Sequence, residues 1–99
     1  MTKEDVQLKA FQIIAAAGDA LSCYYDAAKN FKRSDLEETK QKIKEGDEAL
    51  TKAHLVQTEL IRAEVNGEDI PSSLILTHSQ DHLLQAMTWE KIARLLIDE

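Results

Sequence analysis

Apolar residues recur every three or four positions along most of this 99-residue chain. That spacing lines one face of an α-helix. Phe11, Ile14, Ala17, Leu21, Tyr24, Ala28 and Phe31 predict a first helix over about residues 4–31. Gly18 lies beside this face. An interior glycine costs a helix about 1 kcal/mol relative to alanine, so the expected reason for Gly18 is close approach of a neighbouring helix. A second pattern follows, with Leu36, Ile43 and Leu50 every seven residues and Thr39, Gly46, Ala53 and Leu60 between them. It predicts a helix over 35–65 with a coiled-coil-like seam that is small on one side. Ser34 with Glu37 three residues later reads as the capping box that starts this helix. Asn66-Gly67 ends it in a left-handed cap, and Pro71 fits the first turn of a third helix over about 71–97. The expected fold is all-α: one domain, residues 1–99, folded as an antiparallel up-down-up three-helix bundle.

The third helix carries two stripes instead of one. Leu76, Ser79, Leu83, Ala86, Ala93 and Ile97 make an ordinary core line. On nearly the opposite side run Leu74, His78, Asp81, Gln85, Thr88, Ile92 and Leu95, in alternating steps of four and three. A helix in a lone three-helix monomer needs one buried stripe. A second seam, apolar at both ends, predicts packing against another chain, with its polar middle near a symmetry axis. Copies of Asp81 would then meet. Crowded like carboxylates share protons or bind a cation, and a divalent metal taking one oxygen from each chain is the economical arrangement.

Composition narrows the function. Hydrophobic residues make up 43% of the chain, with 12 alanines but only five aromatics, one proline and three glycines. Such a chain suits long helices better than a β-sandwich. The formal charge of −6 argues against nucleic-acid binding, which needs clustered positive charge. Residues 32–52 hold six charges of each sign and read as a solvated helix face laced with ion pairs. Cys23 stands alone, so neither an internal disulfide nor a multi-cysteine zinc site is expected; it reads as a small buried hydrophobe. The start Met1-Thr2-Lys3-Glu4-Asp5 carries acids where a secretory signal carries basic charge, and no apolar run is long enough to span a bilayer. A soluble cytoplasmic protein is expected.

His78, Asp81 and His82 share one face at i, i+3 and i+4. Spacing alone leaves three readings open. The patch can be structural, specifying assembly in a non-enzymatic helical adaptor. It can hold zinc, since two histidines at i, i+4 bind one metal, although only His54 offers itself as a further ligand. It can also carry a nucleophilic histidine, which accepts a phosphoryl group on one ring nitrogen while the other stays hydrogen-bonded. Leu74, Ile75 and Leu84 would then exclude water from the labile P–N bond. His54 reads as a packing or interhelical hydrogen-bonding residue, and Trp89, Tyr24 and Tyr25 as core or interface aromatics.

Whole blocks of the chain resemble one family. Ser73-Leu74-Ile75-Leu76-Thr77-His78-Ser79-Gln80-Asp81-His82-Leu83, followed by Ala86-Met87-Thr88, is similar to the signature of the lactose/cellobiose-type enzyme IIA of the bacterial phosphoenolpyruvate-dependent sugar phosphotransferase system. Gly18-Asp19-Ala20-Leu21-Ser22 resembles its G-D-A-R-S, and Ala53-His54-Leu55-Val56-Gln57-Thr58-Glu59-Leu60-Ile61 its A-H-x-x-Q-T-E-L-I. Thr77, Ser79 and Leu84 depart from the usual valine, alanine and methionine, and Leu21 from an arginine. The resemblance implies a coiled-coil homotrimer of nine helices. It implies that His78 takes a phosphoryl group from the carrier HPr and passes it to a cysteine of the cognate enzyme IIB, for uptake of a β-linked disaccharide through the membrane component enzyme IIC. Asp81 would meet its symmetry mates around a divalent cation, Mg2+ by expectation. Gln80 and His82 are the expected supports for the phosphoryl oxygens.

Overall fold

The protein, described here by a computed structural model, consists of three helices: α1 (Lys3–Lys32), α2 (Leu36–Val65) and α3 (Leu74–Ile97). The structure describes residues 1–98; the last position of the expected 1–99 domain lies outside the described residues. A helix of 30 residues is about 45 Å long, which accounts for a rod of 49 × 21 × 15 Å. Cross-helix pairs give the directions. Lys9 pairs with Glu59 while Tyr24 pairs with Asp47, so α1 and α2 run antiparallel. Gln57 bonds Gln80 while Asp47 bonds Arg94, so α2 and α3 do as well. The up-down-up bundle is thus as the periodicity predicts.

Every helix buries a heptad line. In α2 it runs through Thr39, Ile43, Gly46, Leu50, Ala53 and Leu60; in α3 through Ser79, Leu83, Ala86 and Ala93. Both match the expected stripes, except that Leu36 is exposed and Leu76 and Ile97, at the ends of the α3 line, are half-buried. The first helix differs. Its buried residues are Val6, Ala10, Ile13, Ala17, Ala20, Tyr24 and Ala27, and only Ala17 and Tyr24 come from the predicted face. Phe11 is 59% exposed and Phe31 44%. The prediction followed bulk, whereas the helices meet through alanines, which let backbones approach closely; the larger side chains rim the contact.

Glycine placement shows the same effect. Nothing lies within 4 Å of a Cβ built on Gly18, so the close approach expected there is not within this chain. It occurs at Gly46, where such a Cβ would sit 2.6 Å from Tyr24 Cε1. Tyr24 is fully buried and its hydroxyl donates to Asp47 Oδ1 at 2.8 Å. Arg94 closes the tie with a 2.6 Å hydrogen bond to Asp47 Oδ2. Burial and the Asp47 carboxylate push the Tyr24 phenol well above its ordinary range. One tie therefore joins all three helices.

The helix ends correct two expectations. The capping box is at α1, where Thr2 Oγ1 accepts from the Asp5 amide at 3.0 Å and the Thr2 amide donates to Asp5 Oδ2 at 2.9 Å. At α2 the cap is Asp35, accepting from the Glu38 amide, because Ser34 is taken up in ending α1. The Asp35 amide donates to Asn30 O at 2.9 Å and the Ser34 amide to Phe31 O at 3.0 Å, a Schellman closure with Ser34 at φ 63°. Gly67, at φ 94°, closes α2 in the same way, as expected of Asn66-Gly67. At α3 the cap is Ser73, so Pro71 precedes the helix rather than filling its first turn. A side chain in the left-handed region is strained where glycine is not. Ser34→Gly is therefore expected to raise stability by about 0.5–1 kcal/mol, read as a higher urea midpoint at unchanged m-value. A lower midpoint would show that the serine side chain contributes something the backbone account omits.

Charge is distributed unevenly over these ends. The first turn of α1 carries Glu4 and Asp5 and that of α2 carries Glu37 and Glu38, whereas the first turn of α3, Leu74-Ile75-Leu76-Thr77, has no acid. No helix among the described residues is long and apolar enough to cross a membrane.

Candidate functional site

Ser73 sets the register of the candidate site. Its hydroxyl accepts from the Leu76 amide at 3.2 Å, and the Thr77 amide begins the helical ladder by donating to Ser73 O at 3.0 Å. His78 then falls in the second turn, and the core line through Ser79 and Leu83 turns it outward. Ser79, fully buried, satisfies its hydroxyl on Leu76 O at 2.6 Å. His78 is exposed and His82, one turn on, is half-buried.

The two imidazoles meet. His78 Nε2 and His82 Nε2 are 3.0 Å apart, with ring centroids 4.5 Å apart and planes at 88°. At that distance one nitrogen donates and the other accepts. His82 thus holds the orientation of the His78 ring from within the same helix. Leu74 and Ile75 line a shallow apolar depression with His78; Leu74 is 88% exposed. The exposed His78 ring is thus flanked by a shallow apolar surface.

The other expected site residues lie elsewhere. Gln80 faces α2, where its Oε1 accepts from Gln57 Nε2 at 2.6 Å and its Nε2 donates to Ser79 Oγ at 3.2 Å. Its amide is spent on the α2–α3 contact and does not join the histidine pair in this chain. Asp81 is exposed. No group of three or more His, Cys, Asp or Glu side chains converges on a metal position among the described residues, so one chain offers a cation a single carboxylate at Asp81. As a hard oxygen donor on the exposed seam, Asp81 fits a cation shared between copies. His54 is half-buried on α2. Cys23 is half-buried rather than a core residue, and burial pushes its thiol pKa up. Tyr25 stands edge-on to Trp89, with centroids 6.0 Å apart.

The seam of α3 has a uniform character. Leu74, His78, Asp81, Gln85, Thr88, Ile92 and Leu95 are all exposed or half-buried in the single chain, with Leu95 at 75%. Two structural residues were missed by the sequence reading. Gln57 was visible only as a letter in a matched block. Asp47 sits in the mixed-charge stretch that reads as a solvated face; its place beside Gly46 on the seam is the signal that marks it.

Known proteins with the same sequence pattern and fold bear on the site. The family model for the lactose/cellobiose-specific IIA subunit of the phosphotransferase system matches residues 8–99. The chain is 37% identical over 98 residues to the lactose-specific EIIA component of Staphylococcus epidermidis, spanning 99% of this chain and 94% of that protein. It is 39% identical over 95 residues to the lichenan-specific enzyme IIA component of Bacillus subtilis, spanning 96% and 86%. Among solved structures, PtcA from S. mutans superposes with a TM-score of 0.94 at 34% identity, covering 97% of this chain and 95% of that one. The cellobiose-specific enzyme IIA of Bacillus anthracis superposes at 0.91 with 36% identity, covering 99% and 88%. This chain belongs to the lactose/cellobiose-specific IIA subunit family, the phosphotransferase components that serve sugar uptake.

Proposed function

We propose that this protein carries a phosphoryl group on His78 between HPr and an enzyme IIB. The observation that bears most weight is the exposed His78 imidazole, oriented by a 3.0 Å contact to His82 beside an apolar apron. Phosphoryl transfer asks little covalent work of the protein beyond in-line presentation of the nucleophile. The lone pair of His78 Nε2, the nitrogen farther from the backbone, attacks phosphorus as the P–N bond to the HPr histidine breaks. The new P–N bond breaks in turn when a cysteine thiolate of enzyme IIB attacks, forming P–S and returning a neutral imidazole. His82 Nε2 is near enough to turn its proton from His78 to a phosphoryl oxygen. Gln80 supports the site less directly, by fixing α3 against α2 through Gln57. Lactose, lichenan and cellobiose in the names of the relatives support a β-linked saccharide as the sugar, delivered through a membrane-bound enzyme IIC, with this chain acting in the cytoplasm.

The exposed α3 seam supports assembly of three chains into a nine-helix homotrimer, with Leu74, Ile92 and Leu95 covered and the Asp81 carboxylates gathered at the axis. Asp81 from each chain would hold a divalent cation, Mg2+ by its preference for oxygen, which would relieve their mutual repulsion. Asp81→Leu is accordingly expected to keep or strengthen the trimer and to end its dependence on the cation. Sedimentation of that variant as a monomer in metal-free buffer would count against this placement.

The reading as a whole is tested by intact mass after incubation with phosphoenolpyruvate, enzyme I and HPr. A gain of one phosphoryl group per chain, lost in acid and stable in base, is expected. No gain, with the partners active on another acceptor, would leave an adaptor whose histidine patch serves assembly alone.

A further inference from the structure

The imidazole pair also has a coordination chemistry of its own. With the proton between His78 Nε2 and His82 Nε2 moved to Nδ1 of its own ring, two lone pairs converge from adjacent turns of one rigid helix. A tetrahedral ion bound at about 2.0–2.1 Å to each needs the nitrogens about 3.3 Å apart. They stand at 3.0 Å, so the rings need to open only slightly. In the single chain His78 is exposed, so the remaining coordination positions there are open to water. Among the described residues each ring is hydrogen-bonded to the other alone.

Donor type selects the ion. Imidazole nitrogen suits Zn2+, Ni2+ and Cu2+, whereas Mg2+ and Ca2+ take oxygen. Among the described residues no third side chain joins the pair, so the site is bidentate and its ion exchangeable. We infer that His78 and His82 chelate a divalent transition-metal ion between their Nε2 atoms, and that the bound ion caps the nitrogen that accepts phosphorus. Metal and phosphorus use the same lone pair, so each excludes the other. Chelation stands on geometry alone; the capping rests on the phosphocarrier reading above.

Two measurements test the two halves. Calorimetric titration with ZnCl2, without any phosphoryl donor, is expected to give one ion per chain. Binding should be at least about tenfold weaker in His82→Ala and in His78→Ala, each having lost one of two ligands. In the wild type, NMR should show the His78 and His82 ring resonances moving and that of His54 unmoved, with MgCl2 ineffective. Undiminished binding in His82→Ala, or unmoved His78 and His82 resonances, overturns the site. For the capping, zinc-loaded protein freed of excess ion is mixed with phospho-HPr prepared beforehand. Acceptance should fall in proportion to occupancy and return with EDTA. An undiminished rate in the loaded protein overturns the capping while chelation stands. If the metal-free protein accepts nothing, the relay reading falls and takes the capping with it, while the zinc titration still decides chelation.

Discussion

His78→Ala is expected to lower phosphoryl acceptance from HPr by at least about a thousandfold, since removing the atom that forms the bond leaves only residual positioning. His78 projects outward from α3 and is exposed, so its truncation should leave the bundle folded. The loss would then be chemical. His82→Ala is the informative companion. It removes the contact that orients the ring but keeps the acceptor, and so should still gain one phosphoryl group, more slowly. Mass spectrometry of both variants, with circular dichroism to confirm helix content, separates the roles. A phosphoryl group retained in His78→Ala and lost in His82→Ala would exchange them.

The second large effect is on stability. Gly46→Val should lower it by about 3 kcal/mol, the upper end of the usual cost of overpacking a filled core. The Tyr24 ring that a new side chain would strike is fully buried, and its hydroxyl is held by Asp47. It has no free rotamer into which to retreat. Gly46→Ala makes the sharper case. Alanine gains about 1 kcal/mol of helix propensity over glycine, so a net loss there can only come from the collision. A Gly46→Ala, Tyr24→Leu cycle should show coupling of about 1 kcal/mol or more between the two positions. Urea unfolding gives both numbers, and a Gly46→Ala protein more stable than wild type would dispose of the account.

How much of this was legible beforehand differs by element. The line through Thr39, Ile43 and Leu50 could be read because apolar or small residues alternate with charged ones, and the line through Ser79, Leu83 and Ala86 because polar Gln80, Asp81, His82 and Gln85 lie between its members. On α1 both faces are apolar, so periodicity fixes the helix and not its rotation. Bulk then pointed to Phe11 and Phe31, when the alanines mark the contact. The caps were displaced for a related reason. Ser34, Asp35 and Ser73 are all capping types, and only the hydrogen bonds show that Ser34 terminates one helix while Asp35 starts the next. At the site, His78 and His82 could be paired from their spacing. The Gln80–Gln57 contact could not, because it depends on how α3 is set against α2.

The unequal helix starts have a consequence for the phosphorylated form. Backbone dipoles leave partial positive charge at a helix N-terminus, and acids answer it at the start of α1 and α2 but not of α3. Helical side chains lean back toward the N-terminus, which brings the His78 ring toward that unanswered end. A phosphoryl group adds roughly one and a half to two negative charges. On His78, one residue beyond that first turn, it would be the anionic charge of α3 nearest the helix start, ahead of Asp81.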